Sequence, residues 1–247
     1  FSYHCDRTVK CYLEILDTYE ITGILKKLLK RIIPTCNENY LFKMMEYFIK
    51  YHDIGKMSSA FQDKLDGENN HATHSNLSFF IFIYFLFLEK KLDKINGKEF
   101  LLLSIILYSV YKHHGKLKNL FKDFSNFEIS DNDLNRIVNI LNKISFDPED
   151  DIIRIMSDNN YWKKWEGKIK RDYLPDFQDD NITLFIFIKL FHSLLISSDY
   201  FATMEFMSDV EIMKPNVLNN EKILDISSKF HSQKRLGNFK NFNFEIN

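Results

Sequence analysis

The sequence predicts an all-α fold: one helical domain. Only 7 Gly and 4 Pro occur in 247 residues, so long unbroken elements are expected and a turn-rich β fold is not. Apolar residues recur at helical spacing, and no stretch alternates as a strand would. Hydrophobic residues make up 45% and aromatics 15%, with 24 Phe, enough for one large core. There is no internal repeat and no linker, so residues 1–247 read as one domain. Its helical core is 1–206 and its C-terminal extension 207–247, where the pattern weakens beyond Pro215 and the Asn-rich end is expected to be loosely held.

Asp6 to Ile33 reads as the first helix, with Val9, Leu13, Leu16, Ile24, Leu28 and Ile32 near helical spacing and Pro34 ending it. Leu41 to Asp53 reads as the second, with Met44, Met45, Phe48 and Ile49 inward. Ser58 to Leu65 is a short helix with Ser59 near its cap, and Asp66 to Asn70 a polar loop. His74 opens a long helix to about Leu92 that is apolar on nearly every side, the expected buried centre. After the turn Asn96-Gly97, Lys98 to His114 is another apolar helix, stopped by Gly115 at C′. Ser130-Asp131-Asn132-Asp133 caps a helix Leu134 to Ile144. Asn159 to Lys170 is a shorter helix with Trp162 and Trp165, and Asn181 to about Phe206 is the last long one.

The totals exclude several classes. Cys5, Cys11 and Cys36 form no CxxC pair, so neither a zinc finger nor a disulfide framework is indicated and a reducing, cytoplasmic interior is expected. The start at Phe1, without Met or a signal-like stretch, reads as a trimmed fragment. The longest apolar run, Leu77 to Leu88, is too short to span a bilayer, so no membrane partner is expected. A net charge of -1 gives no global pull on nucleic acid, so a polyanion must be held by local charge or by metal.

Polar residues interrupt the apolar helices at a few places. His52-Asp53 ends the second helix, ahead of Gly55 and Lys56. An imidazole beside a carboxylate suits a divalent metal, because the carboxylate can bridge two ions while the imidazole terminates one. His74 opens the central helix, His113-His114 closes another, and His4 stands near the chain start. Asp199 lies inside the apolar run Leu194 to Phe201, costly for a carboxylate unless it is paired or bound to metal. Five imidazoles and two carboxylates exceed what one ion needs but suit two ions sharing Asp53. His71 and His231 read as loop and surface residues, and His192, one heptad before Asp199, as a core or supporting residue.

These motifs together resemble the HD metal-dependent phosphohydrolases, and within them the HD nuclease of type I CRISPR interference. His52-Asp53-Ile54-Gly55-Lys56 followed by Phe61-Gln62 matches that family's HD-x-GK and FQ segments. His74-Ser75-Asn76-Leu77-Ser78 is similar to its H-E-x-x-S, with Ser75 in place of the usual Glu, which removes a supporting carboxylate. His113-His114-Gly115 matches its HHG. Ser198-Asp199-Tyr200-Phe201-Ala202-Thr203 resembles its AD-x-x-AS, with Ser198 for Ala and Thr203 for Ser. HD-x-GK alone also fits a cyclic-dinucleotide phosphodiesterase of the HD-GYP kind. That family follows its paired histidines with Glu and Gly-Tyr-Pro, whereas His113-His114 is followed by Gly115-Lys116-Leu117.

The resemblance implies an HD-type helical domain that hydrolyses phosphodiesters of single-stranded DNA, with RNA as a second polymer, in CRISPR antiviral defence. The alternative is an HD phosphohydrolase acting on a nucleotide or cyclic dinucleotide. Two ions ~3.5–4 Å apart would clamp the scissile phosphate, with a hydroxide attacking in line. Asp53 would bridge, His52, Asp199 and His4 would hold one ion, and His74, His113 and His114 the other. Lys56 would contact the phosphate. Imidazole-rich sites favour Mn, Fe, Co or Ni, with Mg a poorer fit. Lys112, Lys116, Lys118 and Lys122 flank the paired histidines, where they can steer a phosphate backbone. Tyr161 to Arg171 mixes aromatic and basic residues, a composition shared by base-stacking segments and by ordinary amphipathic helices. None of the Gly-Lys pairs at Gly55, Gly97, Gly115 and Gly167 precedes Ser or Thr, so no nucleotide-binding P-loop is present. By resemblance, the helicase and the RNA-guided surveillance complex are separate chains and the nuclease a stand-alone subunit.

Overall fold

The computed structural model describes residues 2–65, 67, 74–117, 129–144, 146, 148–158 and 181–208. They form α1 (Ser2–Thr18), α2 (Ile21–Ile32), α3 (Glu38–Lys50), a 3-10 turn (Ile54–Met57), α4 (Ser59–Leu65), α5 (His74–Lys91), α6 (Gly97–Tyr111), α7 (Asp131–Lys143), α8 (Asp150–Ser157) and α9 (Asn181–Ser208). No strand occurs among the described residues, so the fold is all-α as the composition predicts. The chain divides into units Phe1–Val210 and Glu211–Asn247, and the described elements lie in the first.

α5 and α6 pack against each other at the centre. Every residue from Glu99 to Val110 of α6 is buried, as is α5 from Leu77 to Tyr84. This is why neither helix carries a polar stripe: neighbours cover them all round. α3 and α9 lie on α6, while α7, α8 and the 3-10 turn lie on α5. α1 lies along α9 and also touches α2 and α3. Glu99, buried at the start of α6, ties two helix starts together. One of its oxygens accepts from Asn96 N–H (3.0 Å), completing a capping box, and the other accepts from Asn37 N–H (3.1 Å) at the cap of α3.

Several boundaries differ from the sequence reading. The first helix is broken at Tyr19-Glu20, where Glu20 takes the left-handed conformation (φ 53°). Leu13 and Ile24, expected inward, are exposed: the buried face of α1 runs through Cys5, Cys11, Tyr12 and Ile15, and after the break α2 buries Leu25, Leu29 and Ile32. The second helix begins at Glu38 and ends at Lys50, three residues before Asp53. Ser58, not Ser59, caps α4, its Oγ accepting from Phe61 N–H (3.3 Å). α6 ends at Tyr111 rather than His114. α8 lacks the apolar length that announces a helix, and its signals were the preceding Pro148 and the acidic Asp150 and Asp151 of its first turn. The expected helix Asn159–Lys170 and the 207–247 extension, apart from Met207 and Ser208 at the end of α9, lie outside the described residues.

α9 is the longest helix among the described residues, longer than the Leu77–Leu88 run on which the membrane expectation rested. Its stretch Ile182–Phe206 is long and apolar enough to cross a membrane by length and composition. Phe187, Phe191, Leu194, Leu195 and Ala202 are buried in the protein core, and Phe185, Ile186 and Phe206 are exposed. Ser198 is buried in the same stretch, its Oγ donating to the Leu194 carbonyl (2.6 Å).

Candidate metal centre

The HD segment sits where α3 stops. Tyr51 caps α3, and Tyr51 to Asp53 turn the chain into the 3-10 helix. His52 is 0% and Asp53 1% exposed, so this turn is driven into the protein. Gly55 allows the depth. A Cβ there would stand 2.1 Å from the His74 carbonyl oxygen and 3.0 Å from Leu77 Cβ, so only a glycine can approach the start of α5 this closely. The Gly55 N–H donates to Ser78 Oγ (2.9 Å), which explains a serine one turn after His74. The Phe61-Gln62 pair braces the same turn. Gln62 Nε2 donates to the Lys56 carbonyl (2.6 Å), and the Phe61 ring meets the His74 ring edge-on at 5.0 Å.

Around Asp53 the candidates gather in two groups. His74 Nε2 (3.1 Å) and His113 Nε2 (3.3 Å) face Asp53 Oδ1. His52 Nε2 (3.5 Å) and His4 Nε2 (3.7 Å) face Oδ2. Asp199 Oδ1 closes the second group, 3.1 Å from His4 Nε2 and 3.3 Å from His52 Nε2. His114 Nε2 joins the first, 2.8 Å from His74 Nε2. Asp53, His74, His113 and His114 could hold one metal ion and His4, His52, Asp53 and Asp199 another, the ligand atoms of each group lying within 4.8 Å of one another. Because α6 ends at Tyr111, His113 and His114 lie in a turn, free of the 100° spacing of a regular helix.

The tautomers make these groups suitable for a cation. Nδ1 of His52 contacts the Ile49 carbonyl (2.9 Å), and Nδ1 of His113 contacts that of Val110. A carbonyl only accepts, so each Nδ1 carries the hydrogen and each Nε2 of the neutral ring presents a lone pair. Both Nε2 atoms and both oxygens of Asp53 are buried without a hydrogen-bond partner. Lone pairs of nitrogen and carboxylate thus confront one another in a water-poor space, an arrangement that a proton or a metal ion relieves.

The electrostatics follow. Burial opposes ionisation of Asp53, yet His52, His113, His74 and Lys56 outweigh it and hold the carboxyl well below its usual range. Asp199 is treated alike: burial raises it, and His4 and His52 outweigh that and hold it below its usual range. Burial disfavours a charged His52, but Asp53 and Asp199 together raise its pKa. His114 is pushed down to about 4, by burial first and then by His113 and His74. Beneath the site, burial and the Asp53 charge raise the Cys5 thiol to about 11, so it stays protonated.

Lys56 forms an ion pair with Asp53, its ammonium 6.0 Å from the Phe61 ring centre. Lys112 lies over the tyrosines of its own helix, 4.3 Å from the Tyr111 ring centre, and Lys116 is exposed just past His114. Lys118, Lys122, His71, His231 and the Trp162–Trp165 stretch are outside the described residues. His192 is buried beside this turn with Nδ1 unpaired, and burial lowers its pKa. The sequence reading missed Arg7 and Glu205. This nearly buried bidentate pair fastens α1 to α9, the helices bearing His4 and Asp199. Its members are 198 residues apart, and no local signal links them.

No curated protein and no solved structure matches this chain. Residues 1–166 match the family described as Cas3, HD domain, a span that takes in the whole HD, FQ, His74 and HHG series and stops short of Asp199. That match covers most of the chain, and the clustered His and Asp side chains agree with it, so the chain belongs to the Cas3 HD-domain family of CRISPR-associated, metal-dependent nucleases.

Proposed function

We propose that this domain cuts single-stranded DNA at two divalent ions, bound by His4, His52, Asp53 and Asp199 on one side and by Asp53, His74, His113 and His114 on the other. The observation that carries the reading is that each oxygen of Asp53 faces a different set of imidazoles. Divalent ions held there supply Lewis acidity toward phosphate oxygens and water. The imidazole-rich donor set favours Mn, Fe, Co or Ni over Mg. Lys56, beside Asp53, adds positive charge where charge develops on the phosphate. In CRISPR defence, a helicase and an RNA-guided surveillance complex would present the strand, since these 247 residues contain no nucleotide-binding P-loop.

A cleft fed by helix ends admits one extended strand more readily than a stacked duplex. The test is a metal panel against labelled single-stranded DNA, blunt duplex, RNA and small phosphodiesters, with bound metal counted by mass spectrometry. Faster cutting of single-stranded DNA with two ions bound is expected. Equal rates on duplex and single strand would contradict the substrate. One ion under saturating metal, with turnover of nucleotides only, would favour a small-molecule phosphohydrolase.

A further inference from the structure

A cavity of about 420 Å³ opens beside the 3-10 turn, lined by Ser58, Ser59, Arg136, Asn139, Ile140, Asn142 and Lys143. Its size falls within the roughly 300–1,000 Å³ of small-ligand pockets. Arg136, Asn139, Ile140 and Lys143 follow one another at helical spacing, so a single stripe of α7 forms one wall. The core stripe of α7 is separate, carried by Leu134, Ile137 and Leu141 and sharing only Ile140. A polar helix face is ordinarily solvated and flat. This one faces a second wall of protein, Ser58 and Ser59, across a concavity.

The lining has the chemistry of a nucleotide site. Two cations suit a phosphate and two carboxamides suit a base edge. Among the described residues the lining holds no carboxylate. Asp133 takes one guanidinium nitrogen of Arg136 (3.0 Å), and a guanidinium has five N–H donors. Lys143 gives one of its three donors to the Met57 carbonyl (3.0 Å). That bond also locates the pocket: Met57 follows Lys56, and Ser58 closes the turn that holds Lys56 against Asp53. Only Met57 stands between Lys56 and the pocket wall at Ser58, a span of at most ~7 Å along the backbone.

Resting on the nuclease reading above, we propose that this pocket is the subsite for a nucleotide adjoining the scissile phosphate. Arg136 and Lys143 hold its phosphate, and Asn139 and Asn142 contact its base. It would fix the strand's register over the metal centre without touching the reacting atoms.

The test compares wild type with Arg136→Gln and Asn139→Ala, both on the outer side of α7, using a short fluorescein-labelled single strand and bis(p-nitrophenyl) phosphate. The small diester offers its one phosphate to the metal centre and has neither the second phosphate nor the base that the pocket would hold. For the strand, KM should rise about tenfold in Arg136→Gln and less in Asn139→Ala, with kcat little changed. Turnover of the small diester, bound metal and melting temperature should stay at wild-type values. An unchanged KM for the strand, or equal slowing of both substrates, overturns the subsite. Tight binding of free dAMP that Arg136→Gln abolishes, with strand cleavage unaffected, assigns the pocket to a free mononucleotide and also overturns it. A wild type that turns over the small diester but leaves the strand uncut removes the nuclease reading itself, whatever the variants do.

Discussion

Asp53 concentrates the chemistry at the scale of single residues. It is buried and faces four imidazole nitrogens, with the Lys56 ammonium as its ion-pair partner on one oxygen. Asp53→Ala should abolish strand cleavage and release at least one ion while leaving helical content intact by circular dichroism. Wild-type cleavage by that variant would refute its bridging role. His114 offers a test that needs no substrate. Its folded pKa of about 4 lies below the ordinary 6.5, through burial first and then His113 and His74. As pH falls from 6.5 to 4, the unfolded chain takes up a proton that the folded chain refuses, so this residue withdraws stability across that window and has no effect above it. In metal-free protein, the drop in melting temperature from pH 7.5 to pH 5 should therefore be smaller for His114→Gln than for wild type. An equal drop would show that the ring is not crowded as described. His52 titrates in the opposite direction, which is why the difference between the two proteins is the readout. The identities of these residues were legible in the sequence because the chemistry demands particular side chains in a particular order. Their division into two groups around Asp53 was also expected by resemblance, and which oxygen each imidazole faces came with the coordinates.

At the scale of elements, the site depends on two attachments between helices. Gly55 lets the 3-10 turn touch the backbone of α5 at His74, so the HD segment and His74 move as one piece. Gly55→Ala drives a methyl group into that carbonyl, and backbone must yield, because no flexible side-chain end lies there to give way. A loss of about 1–3 kcal/mol in urea unfolding is expected, with weaker metal binding at the His74 side. Unchanged stability and metal content would mean that the two segments are not in contact. The second attachment is Arg7 to Glu205, which fastens α1 along α9. Arg7→Ala takes the guanidinium from a buried carboxylate, a change of about 3–5 kcal/mol for such pairs. It should also lower occupancy of the ion held by His4 and Asp199 while sparing the other. Equal loss of both ions would point to general unfolding. The sequence reading had most of the helices, though it merged α1 with α2 and lacked α8, and it had neither of these joints. Periodicity reports which side of a helix is apolar, and neither the break at Glu20 nor a bond between residues 7 and 205 leaves a periodic trace.

Over the whole molecule, the two groups draw on α1, the turn after α3, the start of α5, the end of α6 and α9, elements spread from His4 to Asp199. The all-α architecture was legible because scarce glycine and proline and buried helices such as α5 and α6 leave few alternatives. The convergence of five distant segments was legible only through short motifs, since nothing in the intervening sequence encodes it. This convergence makes bound metal a clamp on the fold, because unfolding must separate the ligands. A ligand that binds only the folded state stabilises it by about 2.7 kcal/mol at a hundredfold excess over Kd. For a chain of this size each kcal/mol raises Tm by roughly 2–4 °C, so one filled site should give a rise of about 5–10 °C and two a larger one. Melting of chelator-treated protein across a manganese titration measures this. Wild type should rise in two stages when the sites differ in affinity, His114→Ala should keep only part of the shift, and Asp53→Ala should lose most of it, because its carboxylate serves both groups. A wild type whose Tm does not move under saturating manganese, cobalt or nickel would mean that these imidazoles and carboxylates do not bind metal in the folded state. The lone pairs around Asp53 would then be satisfied by Lys56 and by protons on the imidazoles.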